Sequence, residues 1–314
     1  MHFVVIMDPV STVLANADTS FALMEELQNR GHRVDHCLNT DLFLDRGKLH
    51  ARACQATTRR DLQTPITLAP AEDLCLHDVD AILVRTDPPF DSNYLWCTLM
   101  LDRVKPDTFV LNDPHGLRQA NEKLYACYFP ELMPETIVTS HKDRIKAFML
   151  RVGGRAVIKP LGGAGGEGVM VLQDGDANVN AIIETTTQNG QRLAMAQVFL
   201  PEVKIGDKRI LLLDGEPLGA ILRVPQGDEV RSNLRVGGSA TKTTLDEDDA
   251  RIIAALAPRL RDDGLWFVGI DVIGGRLTEV NVTSPTGIQS MSRLDGKSLC
   301  ATVIDWLEKR ARAH

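Results

Sequence analysis

Residues 155–172 read RAVIKPLGGAGGEGVMVL, and the interpretation of the whole chain turns on them. A β-prone run at 156–158 ends in Lys159, five glycines fall within residues 162–168, and a second β-rich run, 169–172, follows at once. Glycine reaches positive φ and lacks Cβ, so such a loop lets backbone N–H groups close on an anion. A cation on the strand before it, Lys159, suits a phosphate. Each glycine costs about 0.5–1 kcal/mol against alanine, which favours a functional loop over an ordinary surface hairpin. Gly163, Gly165 and Gly168 fit G-x-G-x-x-G, a weak signal by itself. The dinucleotide form of that motif opens a helix inside the loop, whereas Val169, Met170 and Val171 prefer a strand. The G-K-[ST] form is absent, because Glu167 and Gly168 stand in its place. What remains is strand, glycine loop, strand: a hairpin flap able to fold over a nucleotide's phosphates.

The chain has 314 residues, enough for two or three domains with proper cores. A composition of 44% hydrophobic and 25% charged residues is that of a soluble globular protein. The net charge of −7 argues against a general nucleic-acid binder. No apolar run approaches the roughly 20 residues that span a bilayer, so no membrane role is expected. An apolar strand begins at residue 3 with no basic segment before it, and a cytoplasmic location is expected. The six cysteines form no C-x-x-C and lie outside metal spacing with histidine, so they read as reduced thiols.

Taken in order, residues 2–7 read as a buried strand, 21–30 as a helix capped by Asp18 or Thr19, and 33–37 as a second strand. This β-α-β opening predicts a parallel-sheet α/β layer with ligand loops at its strand ends. Residues 45–77 show no clear period and are expected to be hairpins or irregular. A strand at 81–84 runs into RTDPPFD at 85–91, either a rigid loop for a zwitterion or a stiff turn capping a helix at 92–103. Composition changes near residue 121. This places domains at 1–121 and 122–314, the second made of a lid part to about 200 and a catalytic part from about 201. An apolar strand at 193–200 stops at Pro201; it suits an adenine edge or a plain core strand. Charged antiparallel strands at 208–213 and 218–223 lead into a long polar loop at 225–240, and such loops are usually lids. A helix at 245–260 has an acidic start and a basic end that match its dipole, and a last helix covers about 299–312.

Between them, strands at 265–273 and 276–281 join through Gly274-Gly275. Alternation puts Glu279 and Asn281 on one face, toward Asp271. Carboxylates crowded on one face repel unless a cation lies between them. Oxygen ligands without His or Cys suit Mg²⁺ alongside nucleotide phosphates.

A phosphate flap with its lysine, an adenine-edge strand and a D…E-x-N hairpin, in that order, resemble the ATP-grasp fold. MDP at 7–9, DTSF at 18–21, RTDPPFD at 85–91, NEKL at 121–124 and IKPLGGAGGEGV at 158–169 are similar to the bacterial glutathione synthetase pattern. So are GDKRIL at 206–211, DGEP at 214–217, RVPQG at 223–227 and EVNVTSPTG at 279–287. The resemblance implies an N-terminal substrate-binding α/β domain followed by an ATP-grasp fold of α+β character. It implies ATP-dependent ligation of γ-glutamylcysteine and glycine through an acyl phosphate. It implies that Lys123 and Lys159 contact ATP phosphates under Gly162, Gly163, Gly165, Gly166 and Gly168, that Gln197, Phe199 and Leu200 hold adenine, and that Asp207 lies near the ribose. Asp271, Glu279 and Asn281 would bind Mg²⁺ or Mn²⁺, as two ions with ATP. Arg209 and Arg223 would act in catalysis. Asp18, Ser20, Arg85, Arg231, Asn233, Gly237, Gly238, Ser284 and Thr286 would serve the substrates. A homotetramer is implied as well. Thr86 departs from the pattern, because relatives often carry a basic residue there, and the hairpin at Gly274-Gly275 is short. Three further readings stay open on the residues: another carboxylate–amine ligase, a nicotinamide-linked oxidoreductase with a helix after Gly168, and a non-catalytic nucleotide-binding regulator.

Overall fold

The computed structural model describes residues 1–60, 63–225 and 238–314. The first sheet has β1 (His2–Ile6), β2 (Arg33–Cys37), β3 (Leu42–Asp45), β4 (Lys48–Thr58), β5 (Ile66–Leu68), β6 (Glu72–Cys75), β7 (Ala81–Val84) and β8 (Phe109–Leu111). Its main path runs β3-β4-β2-β1-β7-β8, with β5 and β6 on β4. Strands β2, β1, β7 and β8 are parallel, as the β-α-β opening predicts. Helix α1 (Thr19–Asn29) starts where Asp18 Oδ1 accepts from the Phe21 N–H at 2.8 Å. Asp91 caps α2 (Ser92–Leu101) in the same way, and α3 (Pro114–Gln119) follows β8. Residues 45–77 take the hairpin form, one of the two expected, with β4 antiparallel to β3, β5 and β6. β4 alternates buried Leu49, Ala51 and Ala53 with more exposed neighbours. Alanine is a poor strand former, so the strand shows only through its antiparallel pairing with β2, β3 and β6.

The second sheet is antiparallel, in the order β11-β10-β12-β9. It is built from β9 (Thr136–Thr139), β10 (Arg155–Pro160), β11 (Met170–Gln173) and β12 (Ala194–Val198), with α4 (Lys142–Arg151) and α5 (Val179–Thr186). Ala156, Ile158, Leu172, Ala194 and Ala196 cluster with Ile145, Phe148, Met149, Val179 and Ile183 in a core of their own. Alternation turns Val157, Val171 and Gln197 to the other face, side by side in register. A strand, not a helix, follows Gly168, and the flap turn holds Gly165, Gly166 and Gly168 at φ of 62°, 82° and 70°. The oxidoreductase expectation of a helix there is therefore wrong.

The third sheet is antiparallel in the order β15-β14-β13-β16-β17. Its strands are β13 (Asp207–Leu213), β14 (Glu216–Val224), β15 (Ser239–Lys242), β16 (Phe267–Ile273) and β17 (Arg276–Asn281). On one face Ile210, Leu212, Val268, Ile270 and Val272 share a core with Ile252, Leu256 and Leu260 of α6 (Glu247–Asp262). On the other, Leu211, Leu213, Ile221 and Phe267 share a core with Met291 of α7 (Ile288–Asp295) and Leu299 of α8 (Leu299–Ala313). The α7 segment carries no expectation from sequence. Asn112, at the end of β8, ties the first sheet to the third. Its Nδ2 donates to Phe267 O at 2.8 Å and Val282 O at 2.9 Å, and its Oδ1 accepts from Phe267 N at 2.8 Å.

Ile158 sits fully buried in the small core of the second sheet. Ile158→Ala is expected to cost about 2–5 kcal/mol in urea unfolding, and a loss under about 1 kcal/mol would show that this layer does not depend on that core.

Candidate active site

The charged part of the site lies at one end of the third sheet's α7-side face. Strand alternation puts Asp207 and Arg209 on that face with Leu211 and Leu213. Register then sets Asp271 beside Arg209, Glu279 beside Asp271, and Arg223 beside Asp207. The turn at Gly274-Gly275 holds both glycines at positive φ, 55° and 71°, as a tight hairpin needs. A bulge at Thr278 shifts the register, pairing Leu277 with Val272 and letting Leu277 join the core with Val280.

Arg209 grips Asp271 in a fork, Nε to Oδ1 at 2.5 Å and Nη2 to Oδ2 at 2.9 Å. Arg223 Nη2 reaches Asp271 Oδ2 at 3.0 Å and donates to Asp207. All four groups are buried. Burial pushes Asp207 up to about 6, against the pull of Arg223. Burial opposes ionisation of Asp271 too, but the charges of Arg209 and Arg223 outweigh it and hold that carboxyl well below its usual range. The two aspartates thus share two cations, and the one touched by both keeps its charge.

The flap meets this face across a cleft. Lys123 Nζ donates to Gly163 O at 2.5 Å and lies 3.6 Å from Glu279 Oε1. Lys159 Nζ lies 3.8 Å from the same oxygen. Burial lowers the Lys159 ammonium, and Glu279 opposes that shift. The cleft is apolar toward Val157, Val169, Val171, Val203 and Ile273, and ionic toward Lys159, Asp207, Arg223, Asp271 and Glu279. Gly166, Gln197, Phe199 and Leu200 also line it. Arg155 stacks on the Phe199 ring, 3.8 Å from its centroid.

Asn281 Nδ2 donates to Gly269 O at 3.2 Å and to Asp271 Oδ2 at 3.3 Å. Among the described residues no three His, Cys, Asp or Glu side chains group as a metal cage. Two carboxylates and an amide on one surface, beside two lysines, are a donor set that fits Mg²⁺ held jointly with an anionic ligand.

A second cluster forms at the ends of β1 and β7. Arg85 Nε donates to Ser20 Oγ at 3.0 Å, and its Nη2 donates to Pro285 O at 3.0 Å. Its Nη1 is buried and has no hydrogen-bond partner among the described residues. Asp18 faces Arg85 and Asp87, and burial raises its carboxyl. Ser284 Oγ donates to Asp87, and Arg209 Nη1 donates to Thr286 O at 3.4 Å. The RTDPPFD segment therefore both caps a helix and turns charged groups inward. Thr86 is buried, and its hydroxyl has no hydrogen-bond partner among the described residues. Gly238 precedes β15, where Ala240 pairs with Arg223; Gly162 lies beside Leu161 and Gly163 at a smaller hollow. Arg231, Asn233 and Gly237, with most of the expected 225–240 lid, lie outside the described residues. Asn121, Glu122 and Thr283 lie within the NEKL and EVNVTSPTG motifs, but the sequence assigns none of them a role. Burial, then the charge of Glu279, push the Glu122 carboxyl up. Its sequence signal is its place beside Lys123 in the NEKL motif at 121–124.

The prokaryotic glutathione synthetase N-terminal domain model matches residues 1–118, and the ATP-grasp domain model of the same family matches residues 122–296. The chain belongs to the prokaryotic glutathione synthetase family. A glutathione synthetase of Gloeobacter violaceus is 47% identical over 99% of this chain and 98% of its own length. That of Thermosynechococcus vestitus is 45% identical over 98% and 99%, and one from Vibrio vulnificus is 42% identical over 99% and 98%. Among solved structures, D-cycloserine synthetase DcsG superimposes with a TM-score of 0.68 at 17% identity, over 98% of this chain and 99% of its own. The ATP-grasp ligase PsnB, complexed with precursor peptide PsnA2 and AMPPNP, gives 0.63 at 14%, over 99% and 98%. These establish the ATP-grasp fold. Family and fold together make the chain an ATP-dependent ligase, as the motifs led us to expect. No helix among the described residues is long and apolar enough to cross a membrane.

Arg223→Ala removes a cation from two buried carboxylates. It is expected to cost about 3–5 kcal/mol, read from the urea midpoint at pH 7; a cost below about 1 kcal/mol would mean the network is not buried as described.

Proposed function

We propose that this member of the family joins the cysteinyl carboxylate of γ-glutamylcysteine to glycine while ATP becomes ADP and phosphate. The observation that carries the reading is the Lys123 ammonium, which touches the flap at Gly163 and faces the acidic hairpin at Glu279. One cleft thus sets cations, an anion-seeking glycine turn and oxygen ligands around the place a triphosphate would take. Its apolar end, with Gln197, Phe199 and Leu200, suits an adenine. Lys123, Lys159 and the flap glycines hold the phosphates. Asp207 serves the ribose end. Asp271, Glu279 and Asn281 hold Mg²⁺ or Mn²⁺, which when bound would neutralise phosphate charge. We assign residues 1–121 to substrate binding and 122–314 to the ATP-grasp part.

In this reading Asp18, Ser20 and Arg85, with Ser284 and Thr286, hold γ-glutamylcysteine; the unsatisfied Arg85 Nη1 supports an acceptor there. The cysteinyl carboxylate oxygen attacks the γ-phosphorus, the bond to the β-phosphate oxygen breaks, and an acyl phosphate forms. Transfer of this kind is mainly positioning and charge stabilisation. Glycine's amine then attacks the acyl carbon. Arg209 and Arg223 steady the oxyanion, phosphate departs with the acyl oxygen, and the amine releases a proton. Closing the flap protects the acyl phosphate from water.

ADP formation with γ-glutamylcysteine, with and without glycine, tests the reading. Full turnover should need both substrates, and turnover with a different acid–amine pair alone would point to another ligase. Glu279→Ala and Lys159→Ala should each lower kcat about 10²–10³-fold, the scale of one preorganised charge partner. Cys300→Ala, on the buried side of α8, should leave kcat within about threefold; equal loss in all three would refute the assignment.

A further inference from the structure

Glu122 joins strand β17, which its neighbour Lys123 also approaches at Glu279, to a segment beyond it. Its backbone carbonyl accepts the Val280 N–H at 2.9 Å, on the metal-candidate strand β17. Its Oε1 accepts from Thr283 Oγ1 at 3.0 Å. Thr283 opens the segment 283–286, and that segment is held from three other sides. Ser284 bonds Asp87, Arg85 bonds the Pro285 carbonyl, and Arg209 bonds the Thr286 carbonyl. Before Glu122 stands Asn121, whose Nδ2 donates to Leu161 O at 3.0 Å and whose Oδ1 accepts from the N–H groups of Lys123 and Leu124 at 3.1 Å. So three consecutive residues grip the flap strand, the acidic hairpin and the substrate-side segment.

An acid is a costly choice for this post. Burial, then the like charge of Glu279, disfavours an ionised carboxyl at Glu122. Packing alone would be served by an uncharged residue. A carboxylate oxygen does what an apolar side chain cannot: it fixes Thr283 at hydrogen-bond distance while the same residue's backbone fixes β17.

We propose that Glu122 is a positioning residue that couples the phosphate-side Lys123 to the 283–286 segment, so that nucleotide and acid substrate strengthen each other's binding. This rests on the function proposed above. The link is one hydrogen-bonded element touching both subsites, so that a ligand ordering it at one end lowers the cost of ordering it at the other.

Isothermal titration of AMPPNP, with and without γ-glutamylcysteine and with glycine omitted, reads the coupling without turnover. In the wild-type protein the dipeptide should tighten AMPPNP about fivefold or more, within the usual range for coupled sites. Glu122→Ala and Thr283→Val should reduce that factor to below about twofold while AMPPNP alone shifts by less than about threefold. Glu122→Gln, which keeps an acceptor oxygen, should restore it. Unfolding midpoints of the variants show whether they fold. An unchanged factor in Glu122→Ala, no rescue by Gln, a parallel collapse of AMPPNP binding alone, or a wild-type protein that binds both ligands without coupling would each overturn the proposal. Failure of the wild-type protein to bind the dipeptide or to form ADP with glycine would instead refute the underlying functional reading.

Discussion

Two arginines and two aspartates buried side by side on one sheet face are the constraint around which the rest is arranged. Isolated charges could not be there, since the loss of hydration would exceed any gain. The antiparallel register of β13, β14 and β16 places each charge beside an opposite one. The same face is apolar at its other end, where Leu211, Leu213, Ile221 and Phe267 enter the core with α7 and α8. One strand pairing therefore builds both a core and an ionic floor. The charges share a single surface because the apolar residues beyond them hold the sheet in register.

The flap is organised differently. Its sheet closes a separate small core with α4 and α5, so it is a self-supporting plate. Met195, with Val138 and Leu161, packs from it into the large core, while at the cleft the described links are ionic or polar: Lys123 on Gly163 and the lysine pair around Glu279. Ionic contacts of this sort reorganise at lower cost than packed apolar ones, which suits a cover that must admit a charged ligand. Asn112 does the opposite for the first sheet. All three of its hydrogen bonds go to β16 and the segment after β17, which locks the cluster around Arg85 to the floor.

Much of this was legible in the residues. The glycine run at 162–168 declared a flap because glycine reaches positive φ and admits a close backbone approach at the least steric cost. Asp271 inside an apolar strand, with Glu279 and Asn281 at even spacing, declared a polar face. Other parts were hidden. β4 is built on alanines whose propensity says nothing. The bulge at Thr278 cannot be inferred from alternation, which would have put Leu277 with Glu279. Glu122 carried no role of its own, because its partners Val280 and Thr283 are distant in sequence.

Local chemistry in the chain was enough to determine the flap, the acidic hairpin, the β-α-β opening and the family, since each depends on residue type at short range. Tertiary structure alone decided which charges meet: that Arg209 and Arg223 both converge on Asp271, that Lys123 touches the flap, and that the 283–286 segment joins Arg85 to Arg209. Those pairings depend on strand register and on packing between sheets, which arise from the sum of many apolar contacts rather than from any short stretch of sequence.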